Sequence, residues 1–272
     1  MPVSNAPTSL EEIMYPLATF GTICFGVFLL GLKLPIFQEL EPKSNRFFAA
    51  CCLAALVNAA TVSAASVSSL VQLYTGPEAA TADCGANGFI HAPAPAPALY
   101  ACWLTLGYFV QDCISMALFP AEMKEGNGGA SAYMIMWLHH IGSLITWPWG
   151  MLSDTYAPFI TYCLATEVTN IGQNLFMLAN RGKVSFLQAV ELPIGVLWML
   201  AFFVVRILPV PYILYSYVNT MVLALGCGVS SAEWIAGLIM IPIPVCLNLF
   251  WFQKILKKAS RMLFGKSSGK NK

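Results

Sequence analysis

The sequence predicts an all-α, polytopic membrane protein of seven transmembrane helices, with an exoplasmic N-terminus and a cytosolic C-terminus. Three observations carry that expectation. Of the 272 residues, 58% are hydrophobic and 10% are charged, where a soluble domain carries roughly 25% charged residues. Apolar runs long enough to cross a bilayer recur along nearly the whole chain. The runs are continuous rather than alternating, so helices and not a closed barrel must satisfy the backbone in lipid.

The first predicted span is Glu12 to Leu34, with acidic residues at its start and Lys33 at its end. That pattern suits a retained span whose N-terminus lies outside. No basic leader or small-residue cleavage site precedes it, so a cleaved signal peptide is not expected. The second span is Phe47 to Tyr74. It is followed by the Ala/Pro/Gly-rich stretch 75–97, read as an irregular exoplasmic tether. The third span is Ala98 to Phe119, and the fourth is Ala132 to Met151. The "GNGG" turn at Gly126 to Gly129 lacks the strand and helix that a phosphate loop needs. The fifth span is Tyr156 to Asn180. The sixth begins near Phe186 and runs to about Leu223, bent at Pro193, Pro209 and Pro211. The seventh is Ala232 to Leu256. The organisation is thus an exoplasmic tail over 1–11, a membrane domain over 12–256 and a basic cytosolic tail over 257–272.

The sixth segment is long enough for two spans, and charge decides the count. With seven spans, thirteen of the fourteen Lys and Arg residues fall on one side. They include Lys33, Arg46, Lys124, Arg181 and the tail lysines, and the fourteenth, Arg206, lies inside the sixth segment. Eight spans would send the basic tail to the opposite face. The positive-inside rule therefore favours seven, with the C-terminus cytosolic. Net charge is only +1, so nothing points to nucleic acid. The tail from Lys258 onward reads as a topology signal, with attraction to anionic headgroups secondary.

Of nine cysteines, seven fall in or beside apolar spans, where small buried thiols are ordinary. Their spacing does not suggest a metal site. Cys84 and Cys227 both fall on the predicted exoplasmic side, where a disulfide can form in an oxidising lumen.

Ionisable groups inside a bilayer are costly and are functional candidates by default. Here they are Asp112, His139, His140, Glu167 and Arg206, with Glu191 near a span end. Asp112 lies seven residues before the cytosolic end of the third span, and His139 seven after the cytosolic start of the fourth. At 1.5 Å per residue both sit roughly 10 Å from that face. Asp112 can therefore meet one of the histidines. Adjacent residues on a helix point about 100° apart, so the second ring is free to face a cavity. A neutral His oriented by an Asp suits general-base work. Glu167, Asn170 and Asn174 follow at i, i+3 and i+7 and share one face. That stripe must face other helices or a polar cavity. A Glu167–Arg206 pair is the natural way to hold both charges in lipid. Purely structural ties between helices remain the competing explanation for both pairs. The aromatic residues near span ends read as an interfacial belt.

In this order, Gln111-Asp112, Leu138-His139-His140, Thr166-Glu167-Val168-Thr169-Asn170, Asn180-Arg181-Gly182 and the run Phe202 to Pro209 resemble the TLC-domain family. The resemblance covers roughly 45–256. That family includes ceramide synthases, a translocation-associated membrane protein, an ER cargo receptor and regulators of membrane phospholipids. It implies an N-out, C-in helical bundle. Ceramide synthases carry a second His-Asp step on the span after the His-His pair, and this chain has Thr166-Glu167 there. Only His139 and His140 have counterparts among that family's catalytic histidines, so the chain is more similar to the members that are not ceramide synthases.

The resemblance implies a protein that binds, senses or regulates membrane lipids through a polar intramembrane pocket. A second reading is an acyl-CoA-dependent acyltransferase, with His139 or His140 as base, Asp112 orienting it and acyl-CoA as co-substrate. A third is a structural subunit of a larger membrane complex. Membrane lipids are the expected partners, with other membrane proteins or a second copy of the chain as further possibilities. No bound cofactor is expected, and the endoplasmic reticulum is the family's usual location. A retinal protein needs a lysine midway along its last span, and here Lys254 comes only at the end. Elongases and desaturases need more spaced histidines than the single further one, His91.

Overall fold

The computed structural model describes residues 9–75, 92–153, 155–224 and 230–264, and all regular structure among them is helical. Cys84, Cys227 and most of the tether lie outside the described residues.

Helix α1 (Leu10–Lys33) starts at Ser9, whose hydroxyl accepts from the Glu12 amide at 3.4 Å, and ends in Lys33. The acids Glu11 and Glu12 at its head and the base at its foot both oppose the helix dipole. A single turn, α2 (Pro35–Gln38), leads into α3 (Lys43–Thr75), which at 33 residues is about 50 Å long and overshoots the hydrocarbon core. Helix α4 (Ala96–Leu118) is buried on nearly every side, and α1, α3 and α6 pack around it. The close approach of α1 and α4 depends on glycine. A Cβ on Gly107 would lie 2.2 Å from the Leu17 carbonyl oxygen, and one on Gly21 would lie 2.8 Å from that of Gly107. Small residues let two backbones meet in this way.

A short α5 (Pro120–Gly126) turns the chain into α6 (Ala130–Met151), which carries the His-His pair. The fifth predicted span is interrupted. Helix α7 (Ala157–Ala165) stops after nine residues, and α8 (Val168–Asn180) resumes after Thr166-Glu167. After one turn, α9 (Ser185–Gln188), helix α10 (Glu191–Phe202) passes into a π turn at Phe203–Ile207 and then α11 (Val210–Ala224). Pro209 and Pro211 bring no N–H to this stretch, which is where the regular ladder fails. The seventh predicted span is also two helices. Helix α12 (Ser231–Met240) opens with a capping box between Ser230 and Glu233. Helix α13 (Pro242–Phe264) follows the break at Ile241 and continues past Leu256, so the start of the predicted tail is helical.

Among the described residues, five helical segments are long and apolar enough to cross a membrane: Leu10–Lys33, Lys43–Thr75, Ala96–Leu118, Glu191–Asn219 and Ser231–Ser260. The predicted fourth and fifth spans are not among them. His139, His140, Ser143 and Thr146 make α6 more polar, and the interruption at Thr166-Glu167 divides the fifth span into lengths that cannot cross alone. The central core joins α1, α3, α4 and α7 with Trp147 and Met151 of α6, Val210 and Ile213 of α11, Met240 of α12 and Val245 of α13, and a cavity remains between α6, α8, α10 and α13.

Candidate functional site

The interruption between α7 and α8 is a tightening rather than an unwinding. Thr169 N–H donates to the Thr166 carbonyl at 3.0 Å and Asn170 N–H to that of Glu167 at 2.9 Å, both three residues back. The helix turns sharply here, and the Thr166 carbonyl faces a partner from outside. That partner is Arg206, on the π turn of the neighbouring segment. Its Nη2 donates to the Thr166 carbonyl at 2.9 Å and to Asn170 Oδ1 at 3.1 Å, while Nε donates to Thr169 Oγ1 at 2.8 Å. Nη1 donates to Asn248 Oδ1 on α13 at 3.3 Å. The Glu167 carboxylate stands 3.9 Å from Arg206 Nη2, an ion contact rather than a tight fork. Glu167 Oε2 in turn accepts from Asn170 Nδ2 at 2.9 Å and from Asn58 Nδ2, on α3, at 3.3 Å. Every charge in the cluster is thus matched by fixed amides and hydroxyls, which is what allows it in a low-dielectric interior.

The π turn is held from the same side. Its Leu208 N–H reaches back five residues to the Phe203 carbonyl at 2.8 Å. The Val205 carbonyl accepts the Tyr162 hydroxyl at 2.7 Å. Two interrupted helices therefore face one another, each supplying what the other lacks.

On α4 and α6, Asp112 Oδ2 lies 3.3 Å from His140 Nδ1, and both side chains are almost wholly buried. The approach is off the line of a directed hydrogen bond, so Nδ1 has no aligned acceptor among the described residues. The His140 ring stacks on Phe109 at 4.6 Å between centroids and meets Tyr108 edge-on at 6.2 Å. His139 is turned differently. It is half-buried, edge-on to Phe109 at 5.6 Å, and it faces open space.

That space is one cavity of about 1130 Å³, just above the usual range for small-molecule sites. Asp112, His139 and His140 line it from one side, and Glu167, Asn170, Asn174 and Arg206 from the other. Its remaining wall is largely apolar, from α6, α10, α12 and α13. Glu191, at the head of α10, is set apart and accepts from Asn180 Nδ2 at 2.5 Å. Among the described residues no cluster of three metal-ligating side chains occurs.

Several members of the site gave no motif signal. Asn58 is a single polar residue in an alanine-rich run, without a periodic partner. Asn248 sits in an apolar stretch of α13, and Tyr162 looks like any interfacial tyrosine. A count of buried amides against buried charges would have singled out the two asparagines.

No curated protein and no solved structure matches the chain. The family model described as the TLC domain matches residues 50–257. That stretch holds both interrupted helices, the Asp112–His140 contact and the cavity wall up to α13, so the chain is an integral, multi-pass membrane protein that belongs to the TLC-domain family.

Proposed function

We propose that the protein binds membrane lipid in the cavity between its two interrupted helices and α6, and acts in lipid homeostasis as a carrier, sensor or regulator. The observation that supports this reading is the convergence of buried ionisable side chains from four helical segments on a single hollow. Structural ties alone need no space between them, whereas here polar side chains line an open hollow that a ligand can enter. A lipid matches that lining, because its headgroup or ester can meet Arg206, Asn170 and His139 while its chains lie on the apolar wall. Seven passes, an exoplasmic N-terminus and a cytosolic C-terminus complete the proposal, on the positive-inside distribution of Lys and Arg. Location in the endoplasmic reticulum goes with it. The test is lipid analysis of purified protein. Glu167→Ala and His139→Ala, where they remain folded, should lose co-purified lipid, and retention equal to the wild type in both would reject the reading.

A second reading has its own observation, the placement of Asp112 beside His140 with His139 on the cavity surface. In an acyl transfer, the histidine would take the proton from an amine or hydroxyl as it attacks the thioester carbon of acyl-CoA, and coenzyme A would leave as the thiol. Labelled acyl-CoA offered to reconstituted protein with a panel of long-chain amines and alcohols decides it. No turnover would leave the binding function alone.

A further inference from the structure

The polar stripe on α8 does not stop at Asn174. Met177 and Arg181 continue the same face, so that Arg181 lies about 21 Å along the chain axis from Glu167 at 1.5 Å per residue. At this far end the cavity wall is cationic, with Arg181 at the foot of α8 and Lys254 and Lys258 on α13. Lys258 is turned inward where its neighbour Lys257 is exposed. Its Nζ donates to Asn180 Oδ1 at 3.1 Å and lies 4.4 Å from the centroid of the Phe176 ring. Asn180 gives its own amide to Glu191, whose carboxylate is close enough to offset part of the Lys258 charge but does not line the cavity. Lys254 Nζ lies over Phe250 at 4.4 Å and Trp251 at 5.1 Å. Arg181 donates to the Gly126 carbonyl and rests on Phe48, with its remaining donors without a partner among the described residues. The carboxylates that line the cavity, Asp112 and Glu167, are committed to His140 and Arg206. One more donor waits here. Trp198 stacks on the same Phe176 ring as Lys258, at 5.5 Å, and its buried Nε1–H has no partner among the described residues.

Three cations and a spare N–H at the mouth of a cavity outnumber the one nearby carboxylate, Glu191, which does not line that cavity, and together they form an anion site. The far wall indicates which anion. Ile135, Ile243 and Leu247 line both the main cavity and a second groove of about 380 Å³, which is wholly apolar and lies between α6 and α13. An occupant of the mouth can thus extend apolar chains sideways between these helices.

We propose that Arg181, Lys254 and Lys258 bind the phosphate of a membrane phospholipid at the mouth of the cavity, with its acyl chains directed into the groove between α6 and α13. The site has the chemistry that phosphate needs, a planar guanidinium and an ammonium that are half-buried, with the exposed ammonium of Lys254 beside them. It rests on the lipid-binding reading above and adds the headgroup class to it. A soluble phosphate compound shares that chemistry, but it has no use for the apolar groove.

The experiment uses the full chain in phosphatidylcholine nanodiscs, with labelled phosphatidic acid and labelled diacylglycerol as probes. Lys258→Gln preserves the bond to Asn180 and Lys254→Gln touches no other element, so both are expected to fold. Arg181→Gln serves as the third variant. Each should weaken phosphatidic acid binding by about tenfold, the scale of one charge-assisted hydrogen bond, and leave diacylglycerol binding unchanged. Phosphatidic acid binding that survives in all three variants overturns the mouth site, while the cavity reading stands if Glu167→Ala still releases lipid. Displacement of phosphatidic acid by millimolar inorganic phosphate or by coenzyme A overturns the lipid assignment in favour of a soluble phosphate. Failure of the wild type to bind either lipid rejects the cavity reading itself.

Discussion

The Thr166 carbonyl accepts a hydrogen bond from Arg206 Nη2 at 2.9 Å, which joins the interruption between α7 and α8 to the π turn between α10 and α11. Each interruption turns a backbone carbonyl, Thr166 on one side and Val205 on the other, towards a donor from its neighbour. Together they make a closed polar knot with Glu167 at its centre. The consequences for mutation follow from which partner is removed.

Arg206→Met leaves Glu167 without its counter-charge and takes from the Thr166 carbonyl its donor across the two segments. Loss of one member of a buried pair costs about 3–5 kcal/mol. A marked drop in melting temperature in detergent is expected, measured by thiol-reactive or tryptophan fluorescence. The double variant Arg206→Met with Glu167→Gln should recover part of the loss, because it removes the stranded charge. A double variant no better than the single would show that Glu167 does not depend on Arg206.

Asn58→Ala tests a residue with no motif to recommend it. Its amide donates to Glu167 Oε2 from a fully buried position. The expected cost is about 1–3 kcal/mol, and it should shrink when Glu167 is already Gln. Additive losses in that double-mutant cycle would exclude the coupling.

Tyr162→Phe removes the hydroxyl that the Val205 carbonyl accepts at 2.7 Å. The ring still packs, so the change isolates one hydrogen bond. About 1–3 kcal/mol of stability should go, the penalty for a buried acceptor left alone. Faster hydrogen exchange confined to residues near the π turn would accompany it. Unchanged exchange there would mean that water already serves the carbonyl.

Gly107→Ala places a methyl 2.2 Å from the Leu17 carbonyl oxygen, whereas Gly26→Ala and Gly142→Ala meet nothing within 4 Å. The first should push α1 off α4 at a cost of about 1–3 kcal/mol, as overpacking does. The other two should be close to neutral. A neutral Gly107→Ala would show that α1 is loosely held.

The two histidines should differ. His140 is 2% exposed and stacked on Phe109, so His140→Ala opens a void and costs about 2 kcal/mol or more. His139 faces the cavity, and His139→Ala should keep the melting temperature and change the bound lipid. The reverse ranking in a thermal shift assay would exchange their roles.

Spacing along single helices made part of this site legible. The i, i+3, i+7 stripe of Glu167, Asn170 and Asn174 needs only helical periodicity to be put on one face. The Asp112 contact follows from equal depths on neighbouring antiparallel helices, although depth could not choose between His139 and His140. The ring that packs on Phe109 is a property of the assembled helices. The interruption at Thr166-Glu167 carries no proline or glycine to announce it, because a distant guanidinium competes for the Thr166 carbonyl. The break at Ile241 did have a signal in Pro242 and Pro244, but the surrounding apolar run masked it. Asn58 and Asn248 matter only through what reaches them from other helices.

Thr166 and its partner are 40 residues apart in the chain. Ribosomes deliver the earlier residue first, so α7 and α8 emerge before anything exists to complete them. Until Arg206 follows, the Thr166 carbonyl has only the Thr169 donors of its own segment, and the Glu167 carboxylate has only the amides of Asn170 and Asn58. The order of synthesis thus sets down the acid before the cation that faces it, and a chain stalled between these two points would hold Glu167 in the bilayer without its counter-charge.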